Sequence, residues 1–120
     1  MSTGIAVFAH GSRIESANEA VRAVAARLAR EGPYDRVEAA FLELGVPDLE
    51  GAVVRLEGRG VTHIIVIPYF LTLGTHLERD LPAIVGRIRE QHPQIEIVTT
   101  PPLDGHPALL DVLMDRAKGL

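Results

Sequence analysis

The 120-residue sequence has no cysteine, which excludes disulfides, thiolate metal sites and cysteine nucleophiles. Lysine is almost missing: Lys118 stands alone among twelve basic residues, in a chain of net charge −4. The arginines are scattered, whereas a nucleic-acid surface needs a basic stripe, so no nucleic-acid partner is expected. No apolar run approaches the ~20 residues that span a membrane. Met1-Ser2-Thr3-Gly4 also sets no basic segment ahead of its apolar run, as a signal peptide would. No membrane association is expected, and the cytoplasm is the expected location.

The rest is ordinary globular composition, 47% hydrophobic, at a length that suits one domain over residues 1–120. Short apolar runs alternate with amphipathic stretches. Ile5 to Ala9, Val37 to Leu42, His63 to Pro68 and Ile95 to Thr99 read as strands. Between them lie helical patterns with start and stop signals. Ser16 with Glu19 forms a capping box ahead of Val21, Val24, Ala25 and Leu28, and Gly32-Pro33 ends that helix. Pro47 at a first helical position opens a helix with Leu49, Val53 and Leu56 inward. Asp80 with Pro82 marks a third start, before Ile84, Val85 and Ile88. After Pro107 the buried face is expected to be Leu109, Leu110, Leu113 and Met114. The order βαβαβαβα, with continuous apolar strands, implies an α/β fold whose parallel sheet is covered by helices on both faces.

Ligands of open α/β sheets bind beyond the carboxyl ends of the strands. That rule puts His10 after the first strand, Glu43 after the second and His76 after the third on one rim. Imidazole and carboxylate together suit Fe, Co, Ni or Zn. The wide spacing of the histidines leaves structural hydrogen bonding equally open. His63 lies at the opposite edge and reads as structural, and His92 ends a helix. His106 is either a third ligand or a helix entry, and Asp80 reads as a helix cap. Gly11-Ser12-Arg13 is either an anion site before a helix N-terminus or an ordinary turn. The apolar loop Tyr69-Phe70-Leu71-Thr72-Leu73-Gly74 is a platform for a flat ligand, a dimer contact or part of the core.

Taken together, Ala9-His10-Gly11-Ser12-Arg13, Phe41-Leu42-Glu43-Leu44 with Pro47, and Pro68-Tyr69-Phe70-Leu71 running through Gly74, His76 and Asp80-Leu81-Pro82 closely resemble the CbiX/SirB family. These are class II chelatases acting on sirohydrochlorin, and the likeness runs through to Gly105-His106-Pro107. The resemblance implies a flavodoxin-like, three-layer fold with a four-stranded sheet ordered 2-1-3-4. It implies metal binding by His10 and His76, with Glu43 assisting. It also implies a short, single-domain type that pairs as a homodimer, with no tightly bound cofactor. The divalent metal is then a substrate, with cobalt favoured over iron and nickel because short chains resemble the cobalt-inserting members.

On that reading Ser12 and Arg13 would meet the ring's carboxylates, while Tyr69, Phe70, Leu71, Leu73, Gly74 and Thr75 would pack against its face. A non-catalytic carrier of metal or tetrapyrrole would use the same rim, and turnover separates the two. A phosphohistidine enzyme is disfavoured because Ala9, not arginine, precedes His10.

Overall fold

The computed structural model describes residues 2–120. Its elements are β1 (Thr3–Ala9), α1 (Glu15–Glu31), β2 (Val37–Phe41), α2 (Leu49–Gly58), β3 (His63–Pro68), α3 (Gly74–Gln91), β4 (Glu96–Thr99) and α4 (Pro107–Lys118). The strands are all parallel, in the order β2-β1-β3-β4. The expected class and strand order are both found.

Alternation along the strands divides the core in two. Ala6, Phe8, Ala40, Ile64, Val66 and Ile97 face α2 and α3, where Leu56, Leu81, Val85 and Ile88 meet them. Ile5, Val7, Ala9, Ala39 and Phe41 face the other way, where Ala25, Val21 and Leu28 of α1 cover them. Continuous apolar strands are thus buried on both faces, as a parallel sheet requires.

Four local expectations are corrected. Helix α1 begins at Glu15 with Ile14 at its N-cap and no capping side chain, so Ser16 is inside the first turn. The Ser12 hydroxyl accepts from the Ile14 N–H at 3.0 Å instead, and Asn18 closes the loop from within the helix. In α2 the cap is Asp48, which accepts from the Gly51 N–H at 2.8 Å. Pro47 belongs to the preceding loop, its carbonyl accepting from Phe41 N–H at 2.9 Å.

Asp80 and Pro82 do not start α3, which runs from Gly74 with Pro82 in its interior. Leu77 and Leu81 carry the stripe of Val85 and Ile88 backwards at helical spacing, and their burial holds the extra turns. Pro82 sits on the exposed side, where water can serve the carbonyl its missing N–H leaves unbonded. Asp80 is an exposed mid-helix residue paired with Arg79 at 3.4 Å.

The largest departure is α4. None of its residues is buried, and Leu110, Leu113 and Met114 are 62%, 66% and 44% exposed. Amphipathic spacing says which face of a helix is apolar but not which surface meets it. The preceding segment is tied to the β3–α3 loop, Leu103 N–H donating to Phe70 C=O at 2.8 Å and Asp104 N–H to Leu71 C=O at 2.9 Å. From that anchor the helix stands off the sheet.

The packing of α2 makes a direct test. Leu56 is fully buried while Val54, on the same helix, is 52% exposed. Leu56→Ala is expected to cost about 2–5 kcal/mol and Val54→Ala no more than about 0.5 kcal/mol, read from urea unfolding. Equal losses would contradict this core.

Candidate metal and tetrapyrrole site

The strand order sets Glu43, His10 and the β3–α3 loop side by side along the carboxyl rim. The β1 and β2 exits stay paired beyond the ladder, with Leu42 N–H donating to Ala9 C=O at 2.9 Å and Glu43 N–H to His10 C=O at 3.1 Å. The side chains follow the backbone: His10 Nε2 lies 3.9 Å from Glu43 Oε1, with both side chains 58% exposed. Gly11 makes this approach possible. Its φ is +94°, and a Cβ there would lie 1.6 Å from the Glu43 carbonyl oxygen, so no other residue fits.

One side chain holds both loops. Asn18, 1% exposed, accepts from Ser12 N–H at 2.9 Å. Its Nδ2 donates to the carbonyls of Ser12 and Leu44, each at 2.9 Å, and to Glu15 Oε2 at 3.3 Å. The β1–α1 loop carrying His10 is thereby stapled to the β2–α2 loop carrying Glu43. The reading of the sequence missed Asn18. The signal was a polar residue in register with Val21, Ala25 and Leu28 on the inward face of α1.

Arg22 adds a second tie. Its guanidinium lies 5.1 Å from the centre of the Phe41 ring and donates to the Val46 carbonyl at 2.9 Å. It also pairs with Glu15 at 2.6 Å and with Glu19. Hydrogen bonds from Arg22 and then Asn18 hold the Glu15 carboxyl below its ordinary range, and Glu15 in turn raises Arg22. Because the folded value is depressed, this pairing supports the fold above the usual carboxylate range and fades as pH falls through the lowered value.

His76 occupies the first turn of α3, exposed, with Nδ1 3.5 Å from an Arg79 nitrogen. That turn contains no acidic residue and its N-cap, Leu73, offers no side-chain cap. No hydrogen bond or ion pair joins His76 to His10 or Glu43, and no closed cluster of three metal-binding side chains forms among the described residues. Ser12 is half-buried and spends its backbone groups on Asn18, so it builds the loop. Arg13 is exposed on the rim.

The apolar loop splits in two. Phe70 and Leu73 pack on the core, the Phe70 ring 6.1 Å from that of Phe8. Tyr69 and Leu71 are 40% and 64% exposed, and Gly74 and Thr75 are exposed beside them. A further tie, Tyr69 N–H to Phe8 C=O at 2.7 Å, fixes the loop's origin against β1. His106 is the N-cap of α4, its Nδ1 accepting from Ala108 N–H at 3.0 Å. His92 lies against α2, 2.9 Å from Glu57 and 3.5 Å from Glu50, and the His63 ring is 3.5 Å from Thr3 at the far edge.

A profile of the CbiX family matches residues 4–120. The chain belongs to the CbiX family. Among its relatives, the sirohydrochlorin cobaltochelatase of Methanococcoides burtonii is 34% identical, over 95% of this chain and 93% of its own. The chloroplastic sirohydrochlorin ferrochelatase of Arabidopsis thaliana is 31% identical over 94% of this chain, which spans half of that protein. Among solved structures, a CbiX protein of Marinobacter aquaeolei superposes with a TM-score of 0.86 at 30% identity, covering 98% and 95% of the two chains. The chelatase SirB of Bacillus subtilis, in complex with cobalt, superposes at 0.91 and 27% identity, over all of this chain and 51% of its own.

The Asn18 staple has a measurable consequence. Asn18→Leu keeps the volume and leaves the Ser12 N–H and the Ser12 and Leu44 carbonyls without a partner. It is expected to lower stability by about 2–4 kcal/mol: a fully buried unsatisfied group costs about 1–3 kcal/mol, and these three are only part-buried, so water offsets some of the loss. A loss below ~1 kcal/mol in urea unfolding would mean that the two loops hold themselves.

Proposed function

We propose that this member of the CbiX family is a sirohydrochlorin chelatase that inserts a divalent metal ion into the tetrapyrrole. The observation that carries the reading is the His10–Glu43 pair, 3.9 Å apart at the rim, in a chain matching a cobaltochelatase over nearly its whole length. Cobalt is the proposed metal, on the strength of that relative. Ferrochelatases among the relatives make iron the nearest alternative. Imidazole and carboxylate accept both, as well as nickel, with affinity rising from Fe to Co to Ni.

His10 and His76 hold the incoming ion through exposed imidazoles, weakly enough to release it. Inserting M²⁺ displaces two pyrrole N–H protons, so the site must take up two protons for each metal it gives. Glu43 accepts one, and the imidazole freed by the departing ion accepts the other. Tyr69 and Leu71, the solvent-facing half of the loop, lie against the ring. Arg13 and the backbone N–H groups at the start of α3 bind its peripheral carboxylates.

We also propose that the working unit is a homodimer. One rim offers donors to one side of a flat ring, and the SirB structure, about half of which matches this chain, supports a unit of two such domains.

Purified protein is expected to convert many equivalents of sirohydrochlorin with Co²⁺ under anaerobic conditions, followed by absorbance against a control without enzyme. His10→Ala is expected to slow this by about a hundredfold or more while leaving the melting temperature unchanged, because the side chain is exposed. A stoichiometric spectral shift without turnover would replace the enzyme with a carrier. Wild-type turnover by His10→Ala would remove that histidine from the chemistry.

A further inference from the structure

His76 reaches the rim on the first turn of α3, and that end of the helix is loosely held. The loop before it is hydrogen-bonded through Tyr69, Phe70 and Leu71. From Gly74 to Leu81 no hydrogen bond or ion pair runs to another element among the described residues. Burial of Leu77 and Leu81 holds this half, and Pro82 interrupts the backbone bonding just beyond it. The polar ties of α3 lie at its other end. Arg89 donates to the Ile97 carbonyl of β4. His92, the C-cap, lies against α2 with its side chain 15% exposed, Nδ1 2.9 Å from Glu57 Oε1 and Nε2 3.5 Å from Glu50 Oε2. Among the described residues no other hydrogen bond or ion pair joins α3 and its cap to α2. Packing alone does not fix the spacing of the two helices, because a cavity of about 240 Å³ opens between Leu49 and Glu50 on one side and Ile84, Arg87 and Ile88 on the other.

We infer that His92 is a positioning residue for the metal site: by clasping Glu50 and Glu57 it sets the angle of α3 against α2, and with it the place of His76 relative to His10 and Glu43. The inference rests on the reading above that His10 and His76 hold the incoming ion, and it names what brings the second histidine into register with the first. The two carboxylates stand seven positions apart, two turns along one face of α2. A ring held between both resists tilting in a way that a single contact does not. Helix α2 follows on the loop that carries Glu43, so the clasp refers His76 to that loop.

Leverage makes the angle matter. His76 and His92 are sixteen positions apart, about 24 Å along a helix that rises ~1.5 Å per residue. A tilt of about 5° at the clasp therefore carries His76 about 2 Å, whereas metal–ligand distances hold to within about 0.2 Å. Side-chain rotamers are discrete and do not absorb such a shift smoothly. No hydrogen bond or ion pair from His76 to His10 or Glu43 corrects the error locally. Loss of a residue that orients a metal ligand from behind typically weakens metal binding by about 10–100-fold.

The chain has no cysteine, so spin labels can be placed at Val54→Cys on α2 and Glu78→Cys on α3, both exposed, and their separation measured by double electron–electron resonance. The parent is expected to give one narrow distance. His92→Ala is expected to broaden it or displace it by about 2 Å, and His92→Gln, whose amide can still donate to Glu57, to restore it in part. Titration of the unlabelled proteins with Co²⁺ alone is expected to show about tenfold weaker binding by His92→Ala, again partly restored by His92→Gln. Glu57→Ala breaks the 2.9 Å contact from the α2 side and is expected to act in the same direction, which keeps the test available if His92→Ala does not fold. An unchanged distance in a folded His92→Ala or Glu57→Ala protein would overturn the inference. A changed distance with parental cobalt affinity would overturn it too, since His92 would then be a structural tie only. If the parent binds no Co²⁺, or binds it equally well after His10→Ala, the reading of the rim falls and this inference with it. A broadened distance in that case would show that the fault lies with the rim and not with the clasp.

Discussion

The rim depends on one buried amide. The carboxyl ends of β1 and β2 bring His10 and Glu43 to neighbouring positions, and the backbone pairing of the two exits reaches only as far as the Glu43 N–H to His10 C=O bond. Asn18 ties the loops beyond it, accepting from one backbone N–H and donating to carbonyls in both. Such a group is costly to bury unless fully satisfied, and no buried side-chain polar atom among the described residues lacks a partner. Around it the packing is equally exacting. A Cβ at Gly45 would meet the Phe41 ring at 2.9 Å and Asn18 Nδ2 at 3.1 Å, and one at Gly11 would strike the Glu43 backbone. The backbone of the pair is therefore positioned by the interior while both side chains stand mostly exposed, which suits groups proposed to hold an ion and then release it.

Much of this architecture was legible in the residues. Four apolar runs separated by helical patterns predicted the parallel sheet, and the carboxyl-edge rule placed His10, Glu43 and His76 on one rim from their order along the chain. The structural reading of His63 came from position alone, while of the two readings left open for His106 the structure bears out the helix entry. The failures share a cause. Ser16 as a cap and Asp80-Pro82 as a helix start are local signals, and burial elsewhere overrode them: Asn18 took over the closing of the loop, and Leu77 with Leu81 drew α3 back to Gly74. Asn18 itself was passed over because an asparagine in a first turn also belongs to ordinary capping patterns. Its importance lies in a partner, Leu44, twenty-six positions away, which no local pattern reports.

The unburied α4 is a failure of another kind. Its spacing predicted an apolar face correctly, and the error lay in taking an apolar face for a buried one. Sequence periodicity carries no information on whether the covering surface is in the same molecule. The same indifference bears on chain length in this family. The chain superposes on about half of the SirB chain with a TM-score of 0.91, so the same fold serves within a longer polypeptide of the family.

This bears on the chemistry. A flat macrocycle must be gripped on one side while metal approaches from the other, because the ring has to distort before its pyrrole nitrogens can face an ion. A single rim carries the His10–Glu43 pair and a small apolar patch, Tyr69 and Leu71. The loop bearing that patch is hydrogen-bonded to the segment that launches α4. The helix is thus anchored on the loop proposed to meet the ring, and the shape of that apolar patch depends on the same few backbone hydrogen bonds.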